Sequence, residues 1–192
     1  MGTSTSSYKA VGFQAPEGAE IMGSALKGYF DIFTPTITKP ILKEHGLTAE
    51  TIHDEHWYPL QIGYDIEKAG FGDSTIGMDS VAMGKMVAST IIESDTMPDL
   101  ETYLTVYINQ ITVISLRNIP DELGYIVEKI AEKDYRITSN VPSTNEAVFG
   151  FMWESCRLLK EPDETFFVHP ISGYPGNQER IVLEVKWGHD IS

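Results

Sequence analysis

The spacing of apolar residues changes once along the chain, from three and four residues in the first part to two in the second. Ile21, Met22, Ala25, Leu26, Tyr29, Phe30 and Phe33 recur at helical spacing and predict one amphipathic helix that stops before Pro35. "TITKPILKEH" predicts a second, ended by Gly46, a residue that takes the left-handed C-cap conformation without strain. Pro59 lacks a backbone donor and pre-sets φ, so "PLQIGYDIEKAG" predicts a third helix with Pro59 in its first turn and Gly70 at its end. In "DSTIGMDSVAMGKMVASTIIES" the residues Val81, Met83, Met86, Val87 and Ile91 suit a helix, while two interior glycines and several β-branched residues oppose it. In "TMPDLETYLTVYINQITVISL" the helical period is kept by Leu100, Leu104, Tyr107, Ile108, Ile111 and Ile114. Asp99 and Glu101 suit the first turn of this helix, and its β-branched content points to burial by tertiary contacts.

Near residue 120 the period becomes two. "GYIVEKIAE" and "DYRITSNV" flank a polar turn at 132–134 and predict a β-hairpin. Ser143 and Glu146 have the spacing of a capping box, which predicts a helix over 144–159 with Val148, Phe149, Met152, Trp153, Cys156 and Leu159 as its apolar residues. "TFFVHPI" and "RIVLEVKWG" then predict a second strand pair around "SGYPGNQE", with His169 as a solvent-facing strand residue or a satisfied core group. The expected fold class is α+β: an N-terminal helical layer packed on a C-terminal ββαββ four-stranded antiparallel sheet. The sheet's own helix covers only part of it, so the N-terminal helices must complete the burial. Residues 18–192 therefore read as a single domain, helical over 18–118 and ββαββ over 122–189. Before it lies a Ser/Thr/Gly-rich flexible tail at 1–17, in which "YKAVGF" could dock as a short strand.

Composition narrows the function. A chain of 192 residues with 42% hydrophobic content can build a continuous core. Twenty-eight acids against 14 bases give a net charge of -14, and no three bases are consecutive, so nucleic acid and anionic membrane surfaces are excluded as partners. Cys156 is the only cysteine, which excludes an intramolecular disulfide and a cysteine-based zinc cluster and fits a reducing, cytoplasmic setting. No apolar run approaches the roughly 20 residues of a membrane span, and the N-terminus lacks a secretion signal's charged-then-apolar pattern. His53 and His56 in "HDEH" could share a metal only in a tight turn with a third ligand from elsewhere, and the spacing nominates none. "HDEHWY" reads instead as the turn feeding the Pro59 helix, with Asp54 and Glu55 near its positive end. No G-x-S-x-G, H-E-x-x-H, P-loop or G-x-G-x-x-G pattern is present, so no catalytic residue is nominated and an enzyme is not expected.

Three stretches carry a resemblance: "LTAETIHDEHWYPLQIGYDIEKAG", "ELGYIVEKI" and "YRITSNVPSTNEAVFGFMWESCRLL". With the helices-then-ββαββ order, the chain from about residue 21 resembles the haem nitric-oxide/oxygen-binding domains and the related 4-vinyl reductase ligand-binding domains, nearest to a bacterial group with a "WYPLQ" motif. The resemblance implies a non-catalytic sensory domain for a small-molecule or lipid-like ligand. Haem-binding members carry a proximal histidine on the helix before the sheet and a Tyr-x-Ser-x-Arg motif that clasps the propionates. Here the helix at 98–116 offers Tyr103, Tyr107 and Asn109 but no histidine, and 135–139 reads Tyr-Arg-Ile-Thr-Ser. No cofactor is therefore expected, and a haem gas sensor, with Tyr107 as axial ligand, is the lesser alternative. A helical layer over a sheet commonly leaves an apolar pocket. The expected ligand-binding residues are Tyr103, Tyr107, Ile111, Phe149 and Trp153, from the two clearest helices, and the expected partner is a small apolar or amphipathic molecule. A protein-interaction module or homodimer is the other alternative, with the methionines of "IGMDSVAMGKMV" as an adaptable contact surface.

Overall fold

The structure, a computed structural model, describes residues 12–72, 80–92, 97, 99–173 and 180–189, with 71, 72 and 111–113 described by backbone alone. The first predicted helix begins later than its apolar stripe. Glu20–Met22 forms β1, paired antiparallel with both β2 (Trp57–Pro59) and β3 (Leu116–Arg117), and helix α1 is Gly23–Ile32. A three-residue strand is too short to show alternation, and its partners lie far along the chain, so Ile21 and Met22 continue the helical spacing while belonging to a sheet.

α2 (Pro35–Glu44) ends as expected, with Gly46 at φ +69°. The Leu47 amide bonds to the Leu42 carbonyl at 2.8 Å and the Gly46 amide to the Lys43 carbonyl at 3.0 Å, the paired closure of a Schellman cap. Pro59 closes β2 rather than opening a helix, and α3 (Gln61–Gly72) starts two residues later. β2 is an edge strand, where a missing donor costs nothing.

The "HDEH" turn serves α1, not α3. The amides of Gly23 and Ser24 donate to the carbonyls of His56 and Asp54 at 2.8 and 3.1 Å, satisfying orphan donors at the α1 N-terminus. A Cβ on Gly23 would stand 2.0 Å from the His53 carbonyl oxygen, so the turn seats there because residue 23 has no side chain. Tyr58 anchors the turn by accepting the His53 amide at 2.9 Å, and Asp54 pairs with Lys27 at 2.7 Å. The two histidine rings meet edge to face at 5.0 Å, and no group of three potential metal ligands exists among the described residues.

α4 (Ser80–Ile91) forms despite its glycine content. α5 (Leu100–Thr102), a π-helical turn at Tyr103–Tyr107 and α6 (Ile108–Val113) run on as one helix, capped by Asp99 accepting the Thr102 amide at 2.9 Å. β4 (Gly124–Ala131), β5 (Asp134–Asn140), β6 (Thr165–Ser172) and β7 (Val182–Gly188) form the four-stranded antiparallel sheet, in the order β4-β5-β7-β6, with α7 (Asn145–Leu159) between its two hairpins. The ββαββ expectation holds. The cap of α7 is Thr144, accepting the Ala147 amide at 3.1 Å; Ser143, one residue earlier, hydrogen-bonds Glu67 instead. His169 is exposed on β6 and stacks on Phe167 at 5.5 Å.

Apolar side chains form two clusters. One lies on the sheet under α4 to α7 and includes Tyr103, Tyr135, Met152 and Leu183; the other joins α1 to α3 with the small sheet and includes Leu26, Leu42, Ile62 and Ile66. α4 contributes to both, giving Met83 to the second and Ala88 to the first. Of the N-terminal segment, residues 1–11 lie outside the described residues, while Gln61 accepts the Ala15 amide and donates to the Phe13 carbonyl, both at 2.9 Å. Among the described residues no helix is long and apolar enough to cross a membrane.

α4 and α7 meet backbone to backbone. A Cβ on Gly84 would lie 1.9 Å from the Ala147 carbonyl oxygen, and one on Gly150 would lie 2.0 Å from that of Val81. Gly150→Ala gains about 1 kcal/mol of helix propensity but forces the helices apart at an overpacking cost of about 1–3 kcal/mol or more. Urea titration is expected to show a net loss of stability.

Candidate functional site

A cavity of about 300 Å³ lies between α1, α3, α4, β4 and the first turns of α7. Its construction begins on one face of α3. Gly63, Glu67 and Gly70 stand at i, i+4 and i+7, hence on one side of the helix. A Cβ on Gly63 would come within 3.1 Å of the Tyr29 ring, and one on Gly70 within 2.1 Å of Phe33. The two glycines therefore let the α1 aromatics lie against α3, stacked at 6.2 Å, with the Tyr29 hydroxyl donating to Glu67 Oε1 at 3.0 Å. Opposite stand Tyr125 of β4 and Phe151 of α7, stacked at 6.3 Å. Tyr64, Ala25, Leu60, Val87 and Val148 add to the walls.

Among the described residues, Glu67 is the only charged one lining the cavity. Burial pushes its carboxyl from the ordinary 4.5 up to about 7, against the opposing pull of hydrogen bonds from Tyr29 and Ser143. The Tyr29 phenol is raised by burial first and by the Glu67 charge second. Burial likewise raises Tyr125. Among the described residues the site is thus a half-open, largely apolar and aromatic pocket with one carboxylate.

None of the expected ligand-binding residues whose side chains are described lines this cavity. Tyr103 is fully buried in the sheet-side cluster, its hydroxyl without a hydrogen bond of normal geometry among the described residues. Burial raises that phenol to about 12, with the Ser155 hydroxyl opposing. Tyr107 is 38% exposed on the outside of its helix. Ile111 lies on α6, its side chain outside the described residues. Phe149 packs half-buried on the sheet-side cluster, and Trp153 meets Phe166 edge to face at 5.2 Å beneath Lys85 Nζ, which is 3.6 Å from its ring centre. α7 presents Ala147, Val148 and Phe151 to the cavity. An apolar period identifies a buried stripe and does not distinguish its cavity side from its core side; the π turn at Tyr103–Tyr107 further shifts its helix out of register. The residue overlooked was Glu67, legible only as a lone acid on the glycine-lined face of α3.

Haem needs an axial ligand and cationic partners for its propionates. His45, His53, His56, His169 and His189 are all exposed, and none lines the cavity. Cys156 is sealed in the sheet-side cluster with its thiol pushed up by burial. Tyr107 does not reach the cavity, and the raised phenols of Tyr29 and Tyr125 oppose forming a phenolate ligand. No lysine or arginine is among the described lining residues, and Glu67 would repel a propionate. The residues present do not fit haem.

The architecture is nonetheless that of the haem nitric-oxide/oxygen-binding, or H-NOX, domains. An oxygen-binding H-NOX domain related to soluble guanylate cyclases, solved as its oxygen complex, superposes with a TM-score of 0.57 at 13% identity, over 86% of this chain and 92% of that one. An H-NOX protein from S. oneidensis in the Fe(II)NO state gives 0.59 at 9% identity, over 88% and 99%. One from K. algicida, a mutant in the unliganded Fe(II) state, gives 0.55 at 9%, over 88% and 97%. At such identities the likeness establishes the fold alone. No family profile matches the chain, and no curated protein matches it.

The Glu67 carboxyl also makes stability depend on pH. Because its folded-state value is raised from 4.5 to about 7, the folded protein holds this proton more tightly than the unfolded chain. Its contribution is fully present below about pH 4.5 and is lost between there and about pH 7, by on the order of 2–3 kcal/mol. Unfolding free energies of wild type and Glu67→Gln measured from pH 4.5 to 8 should diverge over that window, with only the wild type losing this increment.

Proposed function

We propose that the chain is a non-catalytic sensory domain that takes a small apolar or amphipathic molecule, and not haem, in the cavity between the helical layer and the sheet. The observation that carries this reading is the chamber itself: about 300 Å³, walled by aromatic and aliphatic side chains, with a few polar groups converging on one carboxylate. That volume is at the lower end of the roughly 300–1,000 Å³ usual for ligand pockets. Its position supports a sensory role, since Tyr29, Phe33 and Leu60 belong to one apolar cluster and Val148 and Phe151 to the other. An occupant touching both can favour one relative placement over another, which is what a ligand must do to shift a conformational equilibrium. The solved neighbours are themselves described as binding oxygen or in Fe(II)NO form, and the fold's capacity to enclose a small ligand supports the same general use here.

The dimerisation alternative has less support. The exposed apolar residues of the sheet, Ile126 and Ile130 on β4 and Phe167 and Ile171 on β6, sit at opposite edges. Between them run β5 and β7, with Arg136 paired to Glu184 across the strands. On the sheet these exposed apolar residues therefore do not adjoin one another.

Val87→Trp, which fills the cavity from α4, is expected to weaken binding of the neutral fluorophore N-phenyl-1-naphthylamine at least tenfold while the far-ultraviolet circular dichroism is kept. Unchanged probe affinity would remove the cavity from the proposal. Incubation of the wild type with hemin is expected to produce no Soret shift; a saturable shifted band would restore the haem reading.

A further inference from the structure

We infer that the ligand of this cavity is cationic: an apolar body ending in a protonated amine or quaternary ammonium group, with Glu67 as its counter-ion. The inference rests on the cavity being a ligand site, as proposed above.

Glu67 is half-buried at the cavity wall and, unlike the two fully buried glutamates, has no cation partner among the described residues. Glu154 is 6% exposed and is paired with Arg157 at 2.5 Å, and Glu164, 5% exposed, is paired with Lys133. The fold thus gives a buried glutamate a cation where it needs one, as the cost of burying an unpaired charge requires. Glu67 takes part in none of the ion pairs among the described residues, and its neighbours at the cavity are Tyr29, Tyr64, Tyr125 and Ser143. Tyr29 and Ser143 each give the Glu67 carboxyl a hydrogen bond, and a carboxylate has about four acceptor positions, so acceptor capacity remains. α4 brings Val87, Thr90 and Ile91 to the cavity and no charge. The missing partner is a positive charge, and the open space beside Glu67 is where it would come from.

The walls select for the same charge. Five aromatic residues among the described ones, Tyr29, Phe33, Tyr64, Tyr125 and Phe151, line the pocket, and aromatic rings attract cations. A carboxylate within a set of aromatic rings is the chemistry that recognises ammonium groups. The net charge of -14 adds long-range attraction for cations and repulsion of anions. A neutral alcohol could accept or donate one hydrogen bond here, but it would leave the buried charge uncompensated.

Two consequences follow. An ammonium ligand binds the ionised form of Glu67, so its binding releases a proton wherever Glu67 is partly protonated, and its affinity rises with pH until Glu67 is fully ionised. A neutral ligand of the same shape shows neither effect.

The test is displacement of N-phenyl-1-naphthylamine by octylammonium, 1-octanol and octanoate, with calorimetry in buffers of different ionisation enthalpy. Octylammonium is expected to bind at least tenfold more tightly than 1-octanol near pH 7.5, octanoate most weakly, and octylammonium alone to release a proton near pH 6.5. Glu67→Gln should abolish the preference for octylammonium over 1-octanol. The proton count is made on the wild type, so it decides the matter even if the variant folds poorly. Equal binding of alcohol and ammonium, a preference for octanoate, or no proton release would overturn the cationic assignment and leave the cavity reading intact. Failure of all three, with no probe bound, would overturn both.

Discussion

The direct contact of two helix backbones organises this molecule. Gly84 of α4 lies against the carbonyl of Ala147, and Gly150 of α7 against that of Val81, so neither helix has room for a methyl group at the crossing. That intimacy places α4, which contributes Met83 to the cluster formed with α1 to α3, on the helix that covers the sheet. The helical layer and the ββαββ unit are joined through it. Gly84, Ala147 and Val148 also line the cavity, so the same contact sets the floor of the chamber. Glycine is unfavourable within a helix by about 1 kcal/mol, and here the close approach repays that cost in packing.

A second pair of glycines does for the site what the first does for the fold. Gly63 and Gly70 let Tyr29 and Phe33 lie on α3, which delivers the Tyr29 hydroxyl to Glu67 between them. The carboxylate is thereby held in an aromatic environment that raises its proton affinity while the hydrogen bonds resist the rise.

The comparison with H-NOX domains illustrates how far a fold constrains function. Architecture is shared over most of both chains, yet the donors that haem requires are absent from the described cavity walls, with every histidine at the surface. Chemistry resides in the side chains that a scaffold presents, and these can be exchanged while backbone packing persists.

Local pattern sufficed wherever a local rule governs. The β4–β5 and β6–β7 hairpins, the α7 helix, the Gly46 stop and the turn at "HDEH" all follow from period, caps and turn chemistry within a few residues. The lack of catalytic motifs and the histidine-free helix before the sheet were equally legible. Features formed by segments distant in sequence were not. Ile21 and Met22 read as helix until β2 and β3 pair with them, and Pro59 read as a helix start until β1 made it an edge-strand residue. Tyr103, Tyr107, Phe149 and Trp153 read as pocket residues, although the turn-by-turn orientation of their helices sends them to the core, the solvent and the sheet. Glu67 could be found only after α1 was laid on α3. The sequence by itself determined which segments coil and which extend, because those preferences are settled among near neighbours; which side chains share a chamber was decided by tertiary packing, since that depends on how closely two backbones can approach.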